Sequence, residues 1–396
     1  NVGTQYFNSD EISLIKNKDN KNIYYVMLDQ ATSIEKYASY YNRDKDEILA
    51  NLKKIGLSNV ANTQSSNDTT PHTLSSMFNL TQPLNELSNP NHTFSYDFFP
   101  VLISKSRLIR NPKPMLLQAL ENINYDFIWV GNHFADCDFF NPDYCLYLKP
   151  FKNTFDKLFK LNYYIFDSFS LNTPFKAFYA RFINHKGFDI DLGDIFYEND
   201  GIRKFLDNVN KLDINNKNYF FFIHHMMPHT PFIFNPDCSR RTSNTYYDKE
   251  FEKVYAQAFI SDFDDGYDSN YQCMIKRIKE LTNYININDP EAIVIFQADH
   301  GRYFIKQAKI SFAMNTWNTE FTNKYDEKIL SERLDILSLF KVNKECEKYL
   351  GDKMDNINAV RLALSCATDT EVKLVEPKIY YISGFADDYG KVYRFK

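Results

Sequence analysis

The sequence has no apolar run of about 18 residues, so no part of it reads as a bilayer-spanning helix. It has no excess of basic residues: 46 Lys and Arg stand against 51 Asp and Glu, for a net charge of −5. A broad basic surface is excluded, and nucleic acid is not an expected partner. No Cys-x-x-Cys pair occurs, which argues against a structural thiolate zinc site. No internal repeat is visible. Glycine is sparse at 11 residues, while Phe reaches 35 and Tyr 28. With the abundance of Asn and Lys, that profile looks like the codon bias of an AT-rich genome. No secretory leader is evident, and the chain opens on Asn1. It reads as a mature or trimmed fragment. Residues 1–21 form a polar lead-in, and membrane association is expected through an anchor upstream of this chain.

What is present has a globular balance, 44% hydrophobic and 24% charged. The 396 residues suffice for one large α/β domain or two ordinary ones. Six cysteines occur: Cys137, Cys145, Cys238, Cys273, Cys346 and Cys366. The even count permits three disulfides, and Cys137 and Cys145 are close enough to bridge a loop. Disulfides would suit an oxidising compartment, although six free thiols in a cytosolic protein fit nearly as well.

The most informative stretch is Ile293–Gly301, reading IVIFQADHG. A short β-branched apolar run predicts a buried parallel strand, and Asp299 and His300 follow at its carboxyl end. Open α/β sheets keep their sites there. A similar strand over Ile23–Leu28 delivers Asp29, which could equally cap the next helix. The spacing then predicts one helical region from Ser33 to Gly56, and a polar loop over 58–71. Thr70-Pro71 opens another helix. A hydroxyl at that position suits a nucleophile, because free N–H groups at a helix start attract phosphate or sulfate; ordinary capping explains it as well. Helix is expected over 112–122 and strand over 126–130, the latter ending at His133.

Residues 134–215 show no clean period and are expected to form helices and long loops, as a cap or insertion. The run 219–223 predicts a strand that delivers His224, His225 and His229. Three of eight histidines within six residues exceed what a buried structural histidine explains. A polar loop is expected over 236–266 and an amphipathic helix over 267–287. Further helices are expected near 328–340 and 355–366, with a final strand over 378–383.

Two carboxylates, an imidazole and a hydroxyl at strand and helix ends suit a divalent metal. A metal beside a hydroxyl lowers its pKa and makes it a nucleophile at neutral pH. Neighbouring histidines can stabilise an oxyanion or protonate a leaving group.

In this order the segments resemble the sulfatase branch of the alkaline phosphatase superfamily, over about residues 21–384. Tyr25–Asp29 and the helix ending at Gly56 look like the first metal-ligand strand and helix. Thr70-Pro-His-Thr-Leu-Ser-Ser-Met-Phe78 is similar to the nucleophile segment of bacterial phosphoethanolamine transferases and lipoteichoic acid synthases. His224–Phe232 resembles a substrate-binding His-x-Pro-[Tyr/Phe] segment. Gln297–Gly301 looks like the closing metal-ligand motif, and Asn358-Ala-Val-Arg361 resembles an Asn-x-x-Arg stretch of sulfatase-like bacterial proteins.

The resemblance implies an alkaline-phosphatase-like α/β sandwich, with a central mostly parallel sheet and helices on both faces. It implies one catalytic domain over 22–396. One divalent metal ion is expected, zinc first, with manganese or calcium as alternatives, held by Asp29, Thr70, Asp299 and His300. Thr70 and His229 are the expected catalytic pair, and His224, His225 and His133 the substrate-binding residues. Thr69 remains an alternative to Thr70.

Sulfatases proper need a Cys or Ser in a C/S-x-P-x-R context, which Thr69–Thr73 lacks. The expected activity is therefore transfer of a phosphoethanolamine-, phosphoglycerol- or phosphoramidate-type group through a phospho-threonine. The donor is lipid- or nucleotide-linked, and the acceptor is a glycan or lipid of a periplasmic or other extracytoplasmic surface. The alternative is a phosphodiesterase, phosphatase or sulfatase-type hydrolase on the same residues.

Overall fold

The strand β1, Ile23–Leu28, has every residue buried, as expected for a strand covered on both faces. It is the central strand of the sheet. In the computed structural model the described residues are 20–82, 101–104, 107–110, 114–131, 144–145, 199–214, 217–229, 232–241, 251–302, 327–351, 354–382 and 392–394. The lead-in 1–19, His133, the Cys137–Cys145 bridge and most of the expected cap lie outside them.

The elements alternate along the chain. After β1 come α1 (Ile34–Tyr41), α2 (Lys45–Lys54), β2 (Ser58–Asn59) and α3 (Thr70–Phe78). The hairpin β3 (Val101–Ser104) and β4 (Arg107–Arg110), then α4 (Met115–Asn122), β5 (Tyr125–Val130) and β6 (Tyr144–Cys145) follow. Next are α5 (Gly201–Asn208), β7 (Asn218–His225), α6 (Phe251–Asn288) and β8 (Ile293–Ala298). The last are α7 (Glu327–Leu334), β9 (Ser338–Lys341), α8 (Lys344–Glu347), α9 (Asn356–Ala367) and the pair β10 (Tyr380–Ile382) and β11 (Val392–Arg394).

Seven strands form one sheet in the order β2-β9-β8-β1-β7-β5-β6. β1 pairs in parallel with β7 and β8, β5 pairs in parallel with β7 and β6, and β9 runs antiparallel to β8 and β2. Successive side chains point to opposite faces. Tyr25 and Met27 of β1, Phe220 and Phe222 of β7, and Ile293 and Ile295 of β8 join a core with α3, α4 and α9. Tyr24, Val26, Phe221, Ile223, Val294 and Phe296 join a second core with α1, α5 and α6. The result is the expected mostly parallel sheet with helices on both faces.

Four expectations change. The helical region 33–56 is two helices, because Asn42 adopts a left-handed conformation and Asp44 starts a new helix by capping Glu47 N–H. The helix expected from 267 begins at Phe251 and runs 38 residues. Gly266 is not a stop there: a Cβ on it would lie 2.6 Å from the Phe232 ring, so the glycine admits close packing. The helix expected over 328–340 ends at Leu334, and Ser338–Lys341 turns into an antiparallel strand on β8. Finally, β7 continues through His225, so His224 and His225 belong to the pleat rather than to a loop.

Two disulfides join described residues. Cys238–Cys273 ties the segment after β7 to α6, and Cys346–Cys366 ties α8 to α9.

Candidate active site

The carboxyl ends of β1, β7 and β8 are neighbours in the sheet, so their exit residues converge. The pleat decides which do so. His224 continues the face of Phe220 and Phe222, and Asp299 continues the face of Ile295 and Gln297. Both therefore emerge beneath α3 and α9, as does Asp29.

His224 Nε2 lies 3.2 Å from Asp29 Oδ2. His300 Nε2 lies 3.5 Å from Asp299 Oδ2 and 3.9 Å from Asp29 Oδ1. The Thr70 hydroxyl donates to Asp299 Oδ2 and sits 3.5 Å from His300 Nε2. Thr69 turns away, its hydroxyl 2.5 Å from His72 Nδ1. His229 lies close enough for its charge to act on both Asp29 and His300. Asp29, Thr70, His224, His229, Asp299 and His300 are thus brought together. His225 is not: its ring lies on the opposite face, with Nδ1 3.6 Å from Asp200 Oδ1.

Burial and neighbouring charges set the protonation of the group. Burial raises the Asp299 carboxyl, and the adjacent Asp29 adds to that, to about 6. Burial also pushes Asp29 up, but His229, the hydrogen-bonded His224 and His300 more than reverse it, holding Asp29 below the usual carboxylate range. Burial, then the Arg333 charge, keep the His300 ring well below its ordinary value and neutral.

These residues fit a cation. Donor atoms of Asp29, Asp299 and His300 lie within 4.8 Å of one another, and all three residues are buried. Among the described residues, buried Asp29 Oδ1 has no hydrogen-bond partner. Two adjacent buried carboxylates with one oxygen unsatisfied cost several kcal/mol unless positive charge offsets them. Two carboxylates, an imidazole and a hydroxyl form a donor set suited to zinc or a harder divalent ion.

Backbone-directed bonds build the cradle. The Thr73 hydroxyl donates to Asp299 O at 2.9 Å, and Ser65 Oγ donates to the same carbonyl. Asn356, at the start of α9, donates to Ala298 O at 2.8 Å, and its Oδ1 lies 3.0 Å from Ser65 Oγ. Gln297 donates to Met354 O at 2.6 Å and accepts from the Tyr25 hydroxyl at 2.8 Å. Gly301 passes so close to the end of α7 that a Cβ would lie 2.4 Å from Asp335 O. Asn358 and Arg361 bind backbone away from these side chains: Asn358 bridges to Val375, and Arg361 donates to Leu80 O at 2.8 Å. Sequence reasoning missed Ser65, Thr73, Asn356 and Arg333. Only Thr73 carried a signal, being three residues from Thr70 on one helix face.

No protein-family model matches the chain, and no curated protein matches its sequence. Solved structures do resemble it. The integral membrane lipooligosaccharide phosphoethanolamine transferase A (EptA) of Neisseria meningitidis superposes with a TM-score of 0.52 at 12% identity, over 92% of this chain. This chain spans 59% of that protein's length. The C-terminal periplasmic domain of Escherichia coli EptC superposes at 0.51 with 10% identity, over 97% of this chain and 94% of that one. The same E. coli domain in complex with zinc gives 0.50 at 10% identity, over 96% and 98%. The chain therefore shares the alkaline-phosphatase-like fold of these phosphoethanolamine transferase domains.

Proposed function

We propose that the protein is a metal-dependent enzyme that transfers a phosphorus-containing group through a phospho-threonine on Thr70. The observation that carries this reading is the cluster of Asp29, Asp299 and His300 with the Thr70 hydroxyl beside it. Asp29, Thr70, Asp299 and His300 would hold one divalent ion, with zinc favoured by the donor set and by the zinc complex of the E. coli domain. When bound, the ion lowers the pKa of the Thr70 hydroxyl and offsets charge on the phosphoryl oxygens.

The chain's own residues supply the rest. Thr70 Oγ attacks phosphorus in line, forming the Oγ–P bond as the bond to the leaving oxygen breaks. Its proton has a carboxylate to leave toward, because the hydroxyl already donates to Asp299. His229 and His224 hold phosphoryl oxygens and protonate the leaving oxygen. The group then passes from Thr70 to an acceptor hydroxyl, which restores the threonine.

A phosphoethanolamine or related group moved from a lipid donor to a glycan or lipid acceptor is the favoured substrate class, since the superposed proteins are phosphoethanolamine transferases. The disulfides Cys238–Cys273 and Cys346–Cys366 support an extracytoplasmic location.

The test is turnover of an aryl phosphoethanolamine ester by zinc-loaded protein. Wild type should release the phenol, and Asp299→Asn should lose both bound zinc and turnover. Full zinc content and activity in Asp299→Asn would contradict the site assignment.

A further inference from the structure

Tyr267 lies on α6 and is fully buried. Its hydroxyl donates to Gln30 O at 2.9 Å and accepts from the Thr32 N–H at 3.2 Å. Gln30 immediately follows Asp29, in a left-handed conformation with a φ of 64°. A residue with a Cβ is held there by its surroundings rather than by its own preference. The ring face of Tyr267 takes the other turn. The Arg302 guanidinium stands 4.2 Å from the ring centroid, and Arg302 follows His300 by two residues. One side chain thus grips the main chain just beyond Asp29 and the residue just beyond His300-Gly301.

The Gln30 peptide carries that grip into the site. Its C=O accepts from Tyr267, and its N–H donates to Asp299 Oδ1 at 3.0 Å. The His300 N–H donates to the same oxygen at 2.8 Å. Two N–H groups on Oδ1 fix the rotation of the carboxylate and direct Oδ2 toward the Thr70 hydroxyl and His300 Nε2. The path from Tyr267 to the donor atoms is therefore a single residue long. Tyr271, one turn further along α6, is equally buried, and its hydroxyl donates to Thr32 O at 2.9 Å. It bonds the same loop, but at Thr32 rather than at Gln30.

We propose that Tyr267 is a positioning residue for the cation site, whose hydroxyl orients the Gln30 peptide and, through it, the Asp299 carboxylate. This rests on the functional reading above. Tyr267 acts through Gln30 and not on the reacting atoms. Groups that hold a metal ligand in one orientation strengthen binding without touching the ion. Core packing needs only the ring, which phenylalanine also supplies. The hydroxyl, bonded to the main chain on both sides of Ala31, is the part that packing does not require.

The experiment is zinc competition against a chromophoric chelator, paired with urea unfolding of each protein after its zinc is removed. Tyr267→Phe fills the same space and should fold. It should bind zinc about 10- to 100-fold more weakly, the scale for groups that orient metal ligands. Tyr271→Phe should lower the urea midpoint about as far as Tyr267→Phe does, yet keep wild-type zinc affinity. A merely structural tyrosine would move the midpoint alone. Unchanged zinc affinity in Tyr267→Phe would overturn the inference and leave the functional reading standing. Equal loss of affinity in both variants would overturn it too, because any buried hydroxyl on α6 would then serve. Failure of Tyr267→Phe to fold would overturn it by making the hydroxyl a requirement of the fold. Wild-type protein that binds no zinc would overturn both the inference and the functional reading.

Discussion

His224 and His225 follow one another on β7, yet the pleat sends them to opposite faces of the sheet. His224 meets Asp29 beneath α3, beside Thr70, Asp299 and His300. His225 meets Asp200 beneath α5 and α6, where Arg277 Nε donates to Asp200 Oδ2 at 2.7 Å. Both clusters are buried, and both combine carboxylate with imidazole. They differ in balance. On the Asp200 side Arg277 bonds directly to the carboxylate, whereas on the Asp29 side two carboxylates adjoin and Asp29 Oδ1 has no hydrogen-bond partner among the described residues. A cluster that brings its own counter-charge is a structural tie. One that gathers two buried carboxylates beside an imidazole fits a cation.

The largest expected contrast is between adjacent threonines. Thr70→Ala should cut turnover by about 10³-fold or more, as loss of a covalent nucleophile does. Thr69→Ala should cost less than about 10-fold, its hydroxyl being engaged by His72. Steady-state kinetics on both variants checks this, and equal losses would reopen the assignment. Next comes the histidine pair. His224→Ala should lower turnover by about 10²-fold with stability retained, the usual scale for an acid–base group. His225→Ala should do the reverse, costing about 2 kcal/mol in denaturant unfolding with turnover within about 10-fold of wild type.

On the same far face, Arg277→Met should destabilise by about 3 kcal/mol, since it leaves Asp200 buried without its partner. Urea unfolding measures that, and no loss would mean that Asp200 finds another partner.

The smallest effect compares two capping aspartates. Asp200 caps α5 on one face and Asp355 caps α9 on the other. Burial raises both, Asp355 to about 6 against the opposing pull of the Asn358 N–H and Arg361. A carboxyl raised in the folded state stabilises fully below its unfolded value of 3.8, and that contribution is lost as pH rises through about 6. Asn caps a helix equally well and does not titrate. Asp355→Asn should therefore gain on wild type between pH 4 and pH 7, by about 2 kcal/mol. Unfolding curves of both proteins at the two pH values check the sign, and an advantage of the variant over wild type that grows on acidification would contradict it.

Much of this was legible in residue order. Apolar runs that end in Asp29, His224 and Asp299 predict buried strands with chemistry at their carboxyl ends, and those strands pair as neighbours. The Thr70-Pro71 helix start was equally clear. The pleat parity of His225 was not, because it depends on how far β7 extends past its apolar run. The start of α6 was hidden by the acidic, glycine-ended stretch Ser261–Gly266, which reads as a loop until the packing of Phe232 on Gly266 is seen. β9 has only four residues and follows a helical pattern, so its strand state comes from pairing with β8. Arg333 gave no signal at all, since a lone arginine on a polar helix is the commonest of surface residues. The expected role of His133 lies outside the described residues.

The most direct test of the central claim is intact-protein mass spectrometry of zinc-loaded wild-type protein after incubation with a phosphoethanolamine-bearing lipid. The account predicts a donor-dependent mass increment equal to the transferred group, mapped by peptide fragmentation to Thr70 and absent from Thr70→Ala. An increment on another residue, or donor turnover that survives in Thr70→Ala, would contradict it.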